Sequence, residues 1–262
     1  MNRRAYLLVL LLLAGLACIC SVSYLLGWLV PVRPAVSGAS AIIQNESVWY
    51  PCPTCELHIF GEVNNTGDLW LTQVAVTATL RDKHNSTLGV YTDITFVSDI
   101  PPGGVAAFDI WESDVDIAAQ VHSYSLALEF QVGQQVPSML EIVNVTSFIN
   151  DEGILEVWGD VRNKGTETSE LTQIYGTFYD ADGKVMYRAL TATRPHGDVP
   201  PGQERWFQLV VPDPERSSKV ARFALVAESS AYTSIPETPS PILLAAVAVT
   251  LTMVALKKRK HA

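Results

Sequence analysis

The residues best suited to chemistry in this 262-residue chain lie together at 50–58, in the run Tyr-Pro-Cys-Pro-Thr-Cys-Glu-Leu-His. Cys52 and Cys55 are separated by two residues, and His58 follows three positions after Cys55. Three chemistries fit that spacing. A redox dithiol needs its first thiolate at a helix N-terminus, where the backbone dipole lowers its pKa. Here the pair runs into Glu-Leu-His-Ile-Phe-Gly-Glu-Val, which alternates as a strand. A zinc site takes Cys52, Cys55 and His58 as three ligands, but a closed site wants four, so a second chain has to complete it. A c-type haem needs histidine directly after the second cysteine, and Glu56 stands there. The third chemistry is a disulfide stapling a turn, the expected state in an oxidising compartment.

No other cluster competes. There is no Gly-x-Ser-x-Gly elbow and no phosphate-binding glycine loop. His84, His122, His196 and His261 are scattered, and Asp180-Ala-Asp-Gly183 reads as a hairpin turn before it reads as a calcium loop. We expect no catalytic residue, no cofactor and no enzyme.

The ends of the chain assign the compartment. After Arg3-Arg4, residues 5–32 contain no Asp, Glu, Lys or Arg. That run is longer than a bilayer requires and longer than the apolar core of a cleavable signal. It reads as an uncleaved signal anchor, with Ala39-Ser40-Ala41 offering the alternative of cleavage. At the other end an apolar segment, 241–256, precedes the basic tail 257–262. Positive charge marks the cytoplasmic side, so both termini are expected in the cytoplasm and residues 33–238 outside. The total charge is −9 and the two basic ends carry +2 and +4, leaving −15 on the rest. An acidic exterior repels phosphate, and nucleic acid is excluded as a partner. Asn45, Asn64, Asn85 and Asn144 head Asn-x-Ser/Thr sequons compatible with glycosylation there.

The elements that position these residues come from a tandem duplication. Phe-Gly-Glu-Val-Asn-Asn-Thr-Gly (60–67) returns as Trp-Gly-Asp-Val-Arg-Asn-Lys-Gly (158–165). Leu-Thr-Gln-Val (71–74) returns at 171–174, and the Asp-Ile-Pro-Pro-Gly run at 99–103 returns as Asp-Val-Pro-Pro-Gly at 198–202. The offset stays near one hundred residues, about one domain. Within each copy, apolar residues alternate: Leu57, Ile59 and Val63, then Val76, Ala78 and Leu80, matched by Leu155, Val157 and Val161, then Ile174 and Phe178. Period-two runs broken by Asn-Asn-Thr-Gly, Asp-Ala-Asp-Gly and Pro-Pro-Gly turns predict six or seven antiparallel strands per copy. The fold class is therefore all-β: two tandem immunoglobulin-like β-sandwiches, 41–132 and 138–228, flanked by two transmembrane helices. A Ser/Thr/Pro stalk, 229–240, joins the second to the membrane.

The Gly-x-Val-x-Asn-x-Gly and Pro-Pro-Gly elements, with Leu80 and Asp82 in the first copy and Tyr179 and Asp180 in the second, resemble the FxLYD domain family of archaeal and bacterial surface proteins. The resemblance implies an extracellular immunoglobulin-like sandwich without assigned activity. The C-terminal Pro-Glu-Thr-Pro-Ser, apolar span and basic tail is similar to the anchor that closes many archaeal surface proteins.

In the alignment of the copies, Cys52-Pro-Thr-Cys55 stands where Asn150-Asp-Glu-Gly153 stands, a turn between the first two strands. A covalent staple on that turn fits the compartment; the thiol-redox or zinc protein remains the alternative. For binding, Tyr175 and Tyr179 are out of phase with Ile174 and Phe178, and Trp206 with Phe207. They are expected to face away from the second core as candidate anchors for a surface protein or a glycan. Oligomeric state has no signature in the sequence.

Overall fold

A computed structural model describes residues 38–50 and 56–234. The apolar segments 5–32 and 241–256, the basic tail and both Cys52 and Cys55 lie outside the described residues. Among the described residues no helix is long and apolar enough to cross a membrane.

Each repeat folds around its own core, the first as two antiparallel sheets and the second as two three-stranded antiparallel layers that a short final strand joins into one seven-stranded sheet. In the first, β1 (Ala41–Trp49), β2 (Leu57–Asn65) and β6 (Val105–Glu112) form one sheet in that order. Against it packs a sheet built on β3 (Leu71–Arg81), with β4 (Thr87–Ile94) and β5 (Asp99–Ile100) along one edge and β7 (Ser123–Val132) along the other. In the second, β8 (Ser138–Ile149), β9 (Leu155–Asn163) and β12 (Glu204–Val211) repeat the first sheet. β10 (Gln173–Tyr179), β11 (Val185–Ala192) and β13 (Arg222–Glu228) repeat the other. Two short helices, α1 (Val115–Ala118) and α2 (Pro214–Lys219), occupy matching places. Both are capped by an aspartate, Asp114 or Asp213, whose carboxylate accepts two first-turn N–H groups. The two repeats belong to one compact unit.

The alternation read from the sequence sets the cores. Leu57, Ile59, Val63, Val76, Ala78 and Leu80 are buried together, as are Leu155, Val157, Val161, Ile174 and Phe178 in the second repeat. Side chains one position out of phase emerge on the opposite face of each sheet.

The repeated motifs have one structural meaning. Asn65 and Asn163 are fully buried, and each holds three backbone groups. The Asn65 amide donates to Leu69 O (2.8 Å) and Ile100 O (2.9 Å) while its oxygen accepts from Gly67 N (3.1 Å). Asn163 does the same with Glu167 O, Val199 O and Gly165 N, all at 2.8 Å. The Asn-x-Gly turn is thereby tied to the residue that leads into the Pro-Pro-Gly turn. Gly61 and Gly159 precede these turns because a ring lies against them. A Cβ at Gly61 would stand 2.7 Å from Phe108 Cε1, and one at Gly159 2.7 Å from Phe207 Cζ. Asn45 (φ 54°) and Asn144 (φ 56°) sit at matching bulges in β1 and β8, in the left-handed region that asparagine tolerates.

Residues 229–234, expected to belong to a stalk, are folded against the second repeat. Tyr232 is buried in the second core, its hydroxyl accepting from Glu167 N at 3.0 Å. Thr233–Ser234 then forms β14, antiparallel to β13 and parallel to β8. An aromatic side chain able to fill the core end outweighs the Ser/Thr/Pro composition of its neighbours.

Candidate functional site

Trp49 pairs with His58, so the run carrying Cys52 and Cys55 joins two strands of one hairpin. The matching turn is ordered by Asn150, whose side-chain oxygen accepts from Glu152 N and Ile154 N at 3.0 Å. His58 is held in place through Nδ1, which lies 2.8 Å from an Asp109 carboxylate oxygen. Its ring stacks with Phe60 (5.4 Å between centroids) and Trp111 (6.1 Å). Among the described residues no group of three or more His, Cys, Asp or Glu is arranged to hold a metal. Asp180, in the Asp-Ala-Asp-Gly run, uses its carboxylate on its own turn, accepting from Asp182 N (2.9 Å) and Lys184 N (2.8 Å).

Tyr175 and Tyr179 do point away from the second core, but not into solvent. They are 9% and 2% exposed because the outer face of β10, β11 and β13 is docked on the outer face of β1, β2 and β6. As an exposed partner-binding pair they are therefore corrected: their partner is the first repeat. The Tyr179 hydroxyl donates to Glu62 Oε2 at 2.7 Å across this seam. Glu62, 3% exposed, also accepts from Gln44 Nε2 (2.7 Å) and Asn45 Nδ2 (2.6 Å). Burial, reinforced by the Glu62 charge, holds the Tyr179 phenol far above its ordinary range. Burial, then Glu228, pushes Tyr175 up to about 12.

Two arginines complete the seam. Arg188 lies 2.9 Å from Asp93, off the line of a good hydrogen bond, and 4.0 Å from Asp109. Its guanidinium sits 3.6 Å over the Phe96 ring. Burial raises the Asp93 carboxyl despite that cation. Arg216 enters a cage of Trp49 (4.6 Å), Tyr187 (4.9 Å) and Phe60 (5.3 Å), and burial lowers its pKa. Ser47 Oγ donates to Val185 O. None of Glu62, Arg188 and Arg216 is singled out by the sequence alone. The available signal was that Glu62 and Arg188 occupy the outward phase of strands, as the tyrosines do.

Trp206 differs from the tyrosines, being 43% exposed. It stacks on Trp158, centroids 5.5 Å apart and planes 16° apart, on the outer face of β9 and β12. Glu156 fixes the pair from one side, accepting from Trp158 Nε1 (2.9 Å), Gln208 Nε2 (2.9 Å) and Asn150 Nδ2 (2.9 Å). Phe148, 46% exposed, lies on the same face. Beside the linker a cleft of about 350 Å³ opens between the repeats, lined by Ser98, Asp99, Glu170, Tyr175 and Glu228 among others. Ser98 N donates to Glu228 Oε2 at 3.1 Å, and burial lifts the Glu228 carboxyl above its usual range.

The sequons separate by position. Asn85 is exposed at a turn. Asn64 is half-buried, its amide 3.3 Å from Gln44 Oε1. Asn45 gives its amide to Glu62 inside the seam, and exposed Asn144 donates to Asp160 at 2.9 Å.

No family model matches the chain. An uncharacterized protein of Methanocaldococcus jannaschii is 34% identical over 73 residues, 28% of this chain and 52% of that relative, so the match spans about half the relative's length. Among solved structures, an Amycolatopsis orientalis exo-chitosanase overlays 74% of this chain and 26% of its own, at 9% identity and a TM-score of 0.28. Red sea bream transglutaminase overlays 75% of this chain and 31% of its own, at 9% identity and 0.23. An Eisenbergiella tayi β-galacturonidase overlays 74% and 42%, at 12% identity and 0.23. These overlays are too loose to bear on fold or activity.

Proposed function

We propose that this chain is a membrane-anchored, non-catalytic scaffold or adhesion protein of the cell envelope, displaying two immunoglobulin-like modules outside the cell. The observation that carries the reading is the seam. Glu62, Asp93, Asp109, Tyr179, Arg188 and Arg216 are the side chains best placed for chemistry, and they bind one module to the other. A fixed two-module unit presents its remaining faces at a set angle, which is what a scaffold requires and what a flexible string of domains lacks. The acidic exterior between two apolar segments supports the placement outside.

Amine labelling of intact cells with a membrane-impermeant reagent tests this. Exposed Lys83, Lys164 and Lys184 are expected to react without lysis, and Lys257, Lys258 and Lys260 only after permeabilisation. The opposite pattern, or labelling of none until lysis, would overturn the topology.

A further inference from the structure

The seam joins one face of each repeat and leaves the complementary pair of faces open. The second repeat docks its β10–β11–β13 face on the β1–β2–β6 face of the first. What remains uncovered among the described residues is the β8–β9–β12 face of the second repeat and the β3–β4–β7 face of the first. By the internal duplication these are the same two kinds of surface. We propose that they bind each other between copies of this chain, repeating the intramolecular docking head to tail. The proposal names the partner of the scaffold described above. It rests on that reading for where assembly takes place, not for the contact itself.

The support is that residues across the two faces have changed in matched pairs. Within the chain, large Tyr175 and small Ala107 line one small cavity at the seam. Their counterparts are small Thr77 and large Trp206, so the large side chain moves from one face to the other. Within the chain, Tyr179 donates to Glu62. The counterparts are Arg81 and Asp160, an opposite-charge pair at the same place. Arg216 lies over Trp49 and Phe60. Its counterpart Ile117 would meet Phe148 and Trp158, exchanging a cation on rings for an apolar side chain on rings. The charge of Arg188 and that of Asp109 vanish together, as Val90 and Gln208. The hydroxyl of Ser47 persists as that of Thr146. The exposed apolar residues Phe148 (46%), Trp206 (43%) and Val90 (60%) thereby gain cover. Because the contact joins two different faces, it does not close on itself as a two-fold dimer does; repeated, it builds an open chain or a ring.

The test uses the full-length protein in detergent, cross-linked over a concentration series, with the variants Arg81→Asp and Asp160→Arg. Wild type should give a ladder continuing past the dimer. Each single variant should shift its onset at least tenfold higher in concentration, and the double variant should restore it. Each single variant must keep the wild-type thermal midpoint, which is expected because both side chains lie on open faces. A photo-cross-linker at Trp206 should capture a peptide containing Thr77 or Val90 from another chain, a result that does not depend on either charge variant. A monomer throughout, a ladder ending at the dimer, single variants indistinguishable from wild type, or a glycan mapped to Asn144 on this face would each overturn the proposal. Apart from the glycan, none of these outcomes depends on which side of the membrane the modules occupy, so topology and assembly fail separately.

Discussion

Replacing Tyr179 by Phe removes one oxygen and leaves the ring, so it isolates the hydrogen bond at the centre of the seam. Tyr179 is 2% exposed and donates to a carboxylate that is itself 3% exposed. A hydrogen bond to a charged group contributes about 1.5–3 kcal/mol, and a buried acceptor left short of a donor costs more than an exposed one. Glu62 would keep the amides of Gln44 and Asn45, which sets the loss near the middle of that range, about 2 kcal/mol. No cavity forms, because the Arg222 guanidinium still lies over the ring at 3.8 Å. For a unit of this size, 1 kcal/mol moves the thermal midpoint by about 2–4 °C, so a fall of about 4–8 °C is expected. Thermal unfolding of the full chain followed by tryptophan fluorescence measures it. Tyr175→Phe is the control: its hydroxyl donates only to Gln173, in its own repeat, and should cost less than half as much. A double-mutant cycle with Glu62→Gln isolates the pair. A Tyr179→Phe midpoint within 1 °C of wild type, or a coupling with Glu62 near zero, would refute the seam as drawn.

Four further outcomes follow from other parts of the molecule. Asn163→Ala strips Glu167 O and Val199 O of a donor and Gly165 N of an acceptor, and should cost more than about 3 kcal/mol by chemical denaturation; a loss under about 1 kcal/mol would deny the motif its role. Gly159→Ala drives a Cβ into Phe207 and should cost about 1–3 kcal/mol, recovered in part by Phe207→Leu. Glu228 has a folded-state pKa raised by burial above its ordinary 4.5, so its contribution to stability is full below that pH and is lost as pH rises through the raised value. Glu228→Gln, which can still accept from Ser98 N, should therefore raise the melting temperature at pH 7 and leave it unchanged at pH 4. The mass of the unreduced protein should be two hydrogens below the reduced one, with no metal, if Cys52 and Cys55 form the turn staple; one zinc per chain, or one per two chains, would replace the staple by a metal site.

Much of the fold was legible because the signals that specify it are local or periodic. Alternation placed Leu57, Ile59 and Leu80 in the core before any strand was paired, and the Asn-x-Gly and Pro-Pro-Gly runs marked turns through φ tolerance alone. That Asn65 and Asn163 tie those two turns together was not legible, since the partners are carbonyls some 35 residues away with no side-chain signature. The phase of Tyr175 and Tyr179 gave their direction correctly but not what lies in that direction. Docking between two sheet faces leaves no period in either sequence, and burial of an outward residue depends wholly on the partner surface. Tyr232 shows the reverse error, in which composition argued for an extended segment and one aromatic contact decided otherwise.

The short strand β14 has a mechanical consequence. Thr233 N donates to Pro137 O at 3.0 Å, and Thr233 lies beside Ser138 in parallel pairing. The chain thus comes into the second repeat and leaves it at one point, with the whole sandwich hung from that point as a closed loop. Tension between the residues before Pro137 and those after Ser234 runs through this clasp and bypasses the strands between. The sandwich carries no load until the clasp parts, so under stretch the first junction to bear force is this short run of hydrogen bonds.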